Sequence, residues 1–132
     1  MTILITRPEP DGSRLARILN KMGYDSRLAP MMEIENLPGE TLDVGGVQAL
    51  LVTSANGARA VRRVLKPGDI PVFAVGEATA EALHNEGFTN VKVAGGDVTT
   101  LAAKIKSECD PKAGRLIHIA GSHVAGDLSG LL

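Results

Sequence analysis

Apolar positions along this chain alternate between short continuous runs and helical spacing. Ile3 to Thr6 is a brief apolar run that suits a strand. Leu15, Ile18, Leu19 and Met22 then recur at i, i+3, i+4 and i+7, one face of a helix. Gly23 is placed to end that helix as its C′ glycine, with Tyr24 as the apolar residue behind it. Arg27 to Ala29 resumes an extended run before Pro30. Met31 to Gly46 is irregular and is read as a connection carrying one short helix from Glu40, with a domain crossing near Pro30 to Leu37.

A more regular series follows. Ala49 to Thr53 is continuously apolar up to its last residue, as in a strand covered on both faces. Ala58, Val61 and Leu65 give the next helix its buried side. Pro71 to Val75 predicts a strand and Glu77 to Glu86 a helix, ended by Gly87 and Phe88 as Gly23 and Tyr24 end the first. Val91 to Val93 is a strand, Leu101, Ala102 and Ile105 mark a helix that stops near Pro111, Leu116 to Ala120 is a strand, and a last helix begins at Val124. Strands separated by single helices pair in parallel through right-handed crossovers. The fold class is therefore α/β, a parallel sheet flanked by helices.

Composition narrows the partners. The 132 residues include no Trp, one Tyr and two Phe, so the core is aliphatic. Lys and Arg number 14 against 15 Asp and Glu, a net charge of −1. That balance lacks the basic stripe a nucleic-acid surface needs, and no nucleic acid is expected as a partner. No apolar run reaches membrane-spanning length and the N-terminus has no basic leader, so the expectation is a cytoplasmic protein with no membrane contact. Cys109 is alone, which rules out an internal disulfide and a thiolate metal cluster; it reads as a helix-end residue.

Candidate chemistry gathers where strands run into helices, in LLVTSANGARAV, VFAVGEATAEAL and IHIAGSHVAGDL. Each strand leaves through small or hydroxyl residues: Ser54, Ala55 and Asn56 in the first, Gly76 and Thr79 in the second, Gly121 and Ser122 in the third. In an open parallel sheet, ligands bind beyond the carboxyl ends of the strands. Helix N-termini there present unpaired N–H groups and partial positive charge, which suits a carboxylate or phosphate. The alternative for Ser54, Asn56, Thr79 and Ser122 is helix capping alone. The chain has no GxGxxG, no P-loop and no GxSxG elbow. His84, His118 and His123 lack metal-ligand spacing. His84 is read as a helix-surface residue and His118 as a packed strand residue, leaving His123 as the histidine placed in a turn. Arg59, Arg62 and Arg63 read as a solvated helix face, with Arg59 within reach of the turn at Ser54.

These turns, in this order, resemble the uroporphyrinogen-III synthase family. ILITRP, with Thr6, Arg7 and Pro8, looks like that family's first strand and turn. GYDSRLAPMMEI is similar to its G-x-x-x-x-x-x-P-x-x-x-I stretch, LLVTSANGARAV to its strand followed by T-S-x-x-x-V, and VFAVGEATAEALHNEGF to V-G-x-x-T-A-x-x-L-x-x-x-G. The resemblance implies two flavodoxin-like, HemD-type domains with the active site between them, the first domain discontinuous. Residues 1–34 would begin that first domain, and residues 35–132 would form most of the second. It implies an enzyme, a lyase of haem and porphyrin biosynthesis, that closes linear hydroxymethylbilane to uroporphyrinogen III. Ring D inverts through a spiro intermediate, with no metal or organic cofactor. Thr79 would be the catalytic residue beside the reacting hydroxymethyl group. Arg7, Ser54, Ala55, Asn56, Gly76, Gly121 and Ser122 would bind substrate carboxylates. Where the family often has glycine-arginine after the third turn, this chain has Val124 and Ala125, so a basic contact would be lost.

The sequence stops at Leu132 inside an apolar helical pattern. The expectation is a fragment, inactive alone, that hides exposed core by self-association or swapping. Two rivals to the synthase reading remain. One is a non-catalytic tetrapyrrole- or anion-binding regulatory domain of the same architecture. The other is a receiver-like signalling domain, which the absence of acidic residues at the ends of the first strands argues against.

Overall fold

The computed structural model describes residues 1–31, 41–120 and 128–132. The chain divides into two compact units, Met1–Leu37 and Pro38–Leu132. The domain boundary expected after residue 34 falls outside the described residues.

The first unit is a single strand–helix–strand turn. β1 (Thr2–Ile5) leads to α1 (Asp11–Lys21) and β2 (Asp25–Leu28). The strands run parallel, with Thr2 opposite Asp25 and Ile5 opposite Leu28. Among its described apolar side chains only Ile5 is buried, while Leu4, Ile18, Met22 and Leu28 face water.

The second unit holds β3 (Val47–Val52), α2 (Ala55–Val61), β4 (Val72–Ala74), α3 (Glu77–Asn85), β5 (Val91–Val93), α4 (Val98–Glu108), β6 (Arg115–Ile119) and α5 (Leu128–Leu131). Its four strands are ordered β5-β4-β3-β6 and every pair is parallel. The chain steps outward from β3 to β5, then crosses back to lay β6 on the other side of β3. Crossovers of one hand that travel in opposite directions put their helices on opposite faces. One face of the sheet, with Leu50, Val52, Val72 and Ala74, packs on Ala58 and Val61 of α2 and on Ala80, Ala82 and Leu83 of α3. The other, with Ala49, Leu51 and Phe73, packs on Leu101, Ala102 and Ile105 of α4 and Leu128 of α5. The α/β class with parallel strands and flanking helices is as the sequence implied.

Two elements differ from expectation or lie beyond view. Thr41 to Val44 form no helix. Asp43 there accepts a hydrogen bond from the Gly45 N–H at 2.9 Å, a local turn that competes with helical pairing. Glu40 lies outside the described residues, as does the start of the helix expected from Val124. No helix among the described residues is long and apolar enough to cross a membrane.

Both glycine–aromatic helix ends have the same hydrogen bonds. After α1, the Tyr24 N–H donates to Leu19 O and the Gly23 N–H to Asn20 O; after α3, Phe88 donates to Leu83 O and Gly87 to His84 O. This is the Schellman arrangement, and it needs a left-handed residue at C′. Gly23 and Gly87 supply it with φ of 89° and 96°. The two ends differ in what the aromatic ring does. Phe88 is 1% exposed in the core of its unit, whereas Tyr24 is 42% exposed. Burial of a side chain the size of Phe88 contributes about 1.5–3 kcal/mol.

The Gly87 end therefore fixes both the chain reversal and a core side chain. A Cβ at Gly87 would carry the left-handed penalty and approach Pro67 Cγ at 3.2 Å. Gly87→Ala is expected to destabilise the protein by roughly 1–2 kcal/mol. Denaturant unfolding measures it; an unchanged midpoint would contradict this account of the helix end.

Candidate functional site at the carboxyl edge of the sheet

Register places the ends of the second unit's strands level with one another. Val52 of β3 pairs with Ala74 of β4 and with Ile119 of β6, and Ala74 pairs with Val93 of β5. Thr53, Val75, Ala94 and Ala120 thus leave the sheet along one edge. The pairing continues a residue further: Val75 N–H donates to Val52 O at 3.1 Å, Ala94 to Ala74 O at 2.9 Å, and Gly96 to Val75 O at 2.7 Å. The turns are held by backbone, not by long side chains.

The three helices that start here are finished differently. Ser54 is the N-cap of α2, and its Oγ accepts from the Gly57 N–H at 3.0 Å. Asp97 is the N-cap of α4 and makes a reciprocal capping box. Its carboxylate accepts from Thr100 N–H at 2.7 Å, and Thr100 Oγ1 accepts from the N–H groups of Asp97 and Gly95. The N-cap of α3 is Gly76, which has no side chain to offer. No N-cap side chain therefore meets the leading N–H groups of α3. Gly76 also lets two turns meet, since a Cβ there would stand 3.3 Å from Gly96 Cα.

Each residue singled out in the sequence has a definite place. Thr79 sits in the first turn of α3, only 4% exposed, and is not that helix's N-cap. Ser54 ends the β3–α2 turn and Ala55 and Asn56 open α2, where Asn56 Oδ1 accepts from Arg59 Nη2. Arg59 so reaches this turn through Asn56. Gly76 ends the β4 turn. Gly121 and Ser122, and also His123, lie outside the described residues. Arg7 belongs to the first unit, exposed just beyond β1. The structure therefore brings Ser54, Ala55, Asn56, Gly76 and Thr79 to one edge of one sheet.

Two features were not read from the sequence. The β5–α4 turn, Ala94 to Asp97, joins the same edge; its signal was Asp97 followed three residues on by Thr100, a capping pattern. The second is a hydrogen bond of 2.9 Å between Thr53 Oγ1 and His118 Nε2, across the β3–β6 pair. Burial pushes the His118 imidazole below its ordinary pKa, which favours the neutral ring. Sequence placed His118 as packed in a strand, and its link to Thr53 depends on β6 lying beside β3.

A cavity of about 190 Å³ opens at the opposite edge, lined by Gln48, Ile105, Cys109, Asp110, Gly114 and Leu116 among others. Its polar groups serve the fold. Gln48 donates from Nε2 to Asp110 O and accepts at Oε1 from Asp110 N–H, both at 2.9 Å. Burial raises the Cys109 thiol above its ordinary pKa and so favours the protonated form. The carboxyl edge is the better candidate, because the strand-end turns and the uncapped start of α3 meet there.

Comparison with protein families places the chain. The model of the family described as uroporphyrinogen-III synthase HemD matches residues 13–132, which takes in the strand–helix turns of the second unit and leaves out the turn between β1 and α1. Comparison with individual curated proteins gives no match.

The capping box that closes the α4 side of the edge should have an acid signature. Thr100's backbone N–H, then its side chain, hold Asp97 below its ordinary carboxylate value of 3.8. A depressed folded pKa gives stability that is complete above the unfolded value and is lost as pH falls through the folded one. Asp97→Asn is expected to lower the thermal midpoint at neutral pH, with the gap to wild type closing as pH falls below 3.8. A gap independent of pH would show that the charge on Asp97 contributes nothing.

Proposed function

The chain belongs to the uroporphyrinogen-III synthase family, and from that membership we propose that it serves the cyclisation of hydroxymethylbilane to uroporphyrinogen III. Loss of water from the hydroxymethyl group leaves an azafulvene, which the substituted carbon of ring D attacks to give a spiro intermediate. Cleavage and reclosure then insert ring D inverted. The linear substrate closes unaided to the uninverted isomer, so the protein's task is to hold geometry. A sheet edge with backbone donors suits that task and requires neither a metal nor an organic cofactor.

The observation that carries the reading is the start of α3. Gly76 leaves it without a side-chain cap, and Thr79 lies in its first turn, withdrawn from water. Substrate acetates and propionates are acceptors for the leading N–H groups of α3, beside the turn of Ser54, Ala55 and Asn56. Thr79 Oγ1 is assigned to the departing hydroxymethyl oxygen, where its hydrogen bond helps water leave. Arg7 in the first unit, with Gly121 and Ser122 after β6, is assigned to further carboxylates, Arg7 through a charge-assisted bond. The chemistry belongs to a cytoplasmic biosynthetic protein.

The test is an assay on protein from the complete open reading frame, supplied with hydroxymethylbilane, with the product isomers separated. Mostly isomer III is expected. Isomer I alone, at the spontaneous rate, would refute the proposal in favour of a regulatory tetrapyrrole-binding domain of the same architecture. In the same assay Thr79→Ala is expected to lower isomer III formation by roughly 100-fold, the loss typical of removing one preorganised donor, with its thermal midpoint near that of wild type. Wild-type turnover, or a loss that tracks unfolding, would remove Thr79 from the site.

A further inference from the structure

The order β5-β4-β3-β6 reverses direction between β3 and β6. In open parallel sheets the crevice outside such a reversal is where ligands enter. Two polar side chains meet there, Thr53 just past the end of β3 and His118 one residue short of the end of β6, joined at 2.9 Å. Both are half-buried. Leu51 pairs with His118 and Val52 with Ile119, so Thr53 and His118 share the face that holds Leu51 and Leu116.

We propose that His118 is a positioning residue: its Nε2–H donates to Thr53 Oγ1 and thereby turns the Thr53 hydroxyl proton outward, as a donor to a substrate carboxylate. This rests on the reading of the carboxyl edge as the synthase site and adds a carboxylate subsite at the β3–β6 crevice. The argument is one of donors and acceptors. A threonine hydroxyl has a single proton, and a neutral imidazole has a single N–H. If Nε2 is bare, the hydroxyl spends its proton on the ring and faces the crevice with lone pairs, which repel a carboxylate. If Nε2 carries the hydrogen, the ring donates and the hydroxyl is free to donate onward. An ionised carboxylate only accepts, so its arrival selects the second arrangement. Each bond in the chain from His118 through Thr53 to the carboxylate polarises the next.

Anaerobic titration of uroporphyrinogen III into the full-length protein tests this, with four variants compared. Thr53→Val removes the hydroxyl, His118→Leu removes the ring donor, and His118→Gln keeps an N–H at similar reach. Thr53→Val and His118→Leu are expected to bind roughly 10- to 100-fold more weakly than wild type. His118→Gln should bind nearly as wild type, and the double variant Thr53→Val/His118→Leu no more weakly than Thr53→Val. Failure of Gln to rescue, additive losses in the double variant, or wild-type affinity throughout would each overturn the assignment, as would no binding to wild type. Isomer III formation by the wild-type protein is measured beside it and judges the synthase reading separately. Isomer III with additive losses removes His118 alone, whereas coupled losses without isomer III leave the carboxylate subsite standing and remove the synthase.

Discussion

β3 lies between β4 and β6 with Ala49, Leu50, Leu51 and Val52 all withdrawn from water. With solvent gone from both faces, its backbone N–H and C=O groups must be met by neighbouring strands. Parallel neighbours meet that demand, and parallel pairing requires a crossover helix between successive strands. From this one constraint comes the rest of the second unit: α2 and α3 cover one face, α4 and α5 cover the other, and every strand delivers its carboxyl end to the same edge. The candidate site is a by-product of burying a central strand.

Much of this was legible in the sequence because burial writes itself into residue type. The continuous run Ala49 to Val52 is what a doubly covered strand looks like, and the pairs Gly23–Tyr24 and Gly87–Phe88 carry the conformation of the helix ends in their own chemistry. What was not legible depended on neighbours distant in sequence. Nothing in a chain order of strands says that β6 returns to β3, so the bond between Thr53 and His118 had no local signal. The helix expected from Glu40 failed between Thr41 and Val44 because a single carboxylate, Asp43, captured a backbone N–H. The same local chemistry succeeds at Asp97, where it starts a helix. Apolar periodicity also says nothing about degree of cover: the α1 pattern matches a buried helix, yet Ile18 and Met22 face water.

The candidate site residues share a physical character. Ser54, Gly76, Thr79 and Thr53 are small, and they stand just past a strand, at a helix N-cap or on the first turn of a helix, on elements packed in the core. Such groups carry little side-chain entropy into binding. A substrate that reacts readily but with the wrong geometry calls for this kind of surface, one that places its donors before the ligand arrives. Long cationic side chains would bind carboxylates as firmly while allowing them to move. The backbone pairing of the edge, turn to turn from Gly96 N–H to Val75 O, is therefore the property that joins the fold to the proposed reaction.

The most direct test of that connection is a map of backbone amide shifts as uroporphyrinogen III is added to the isotope-labelled protein. The account expects the largest changes at Thr53 to Asn56, Val75 to Thr79 and Ala94 to Asp97, with His118 and Ala120 following. Changes centred instead on Gln48 and Cys109 to Gly114, at the opposite end of the strands, would contradict it.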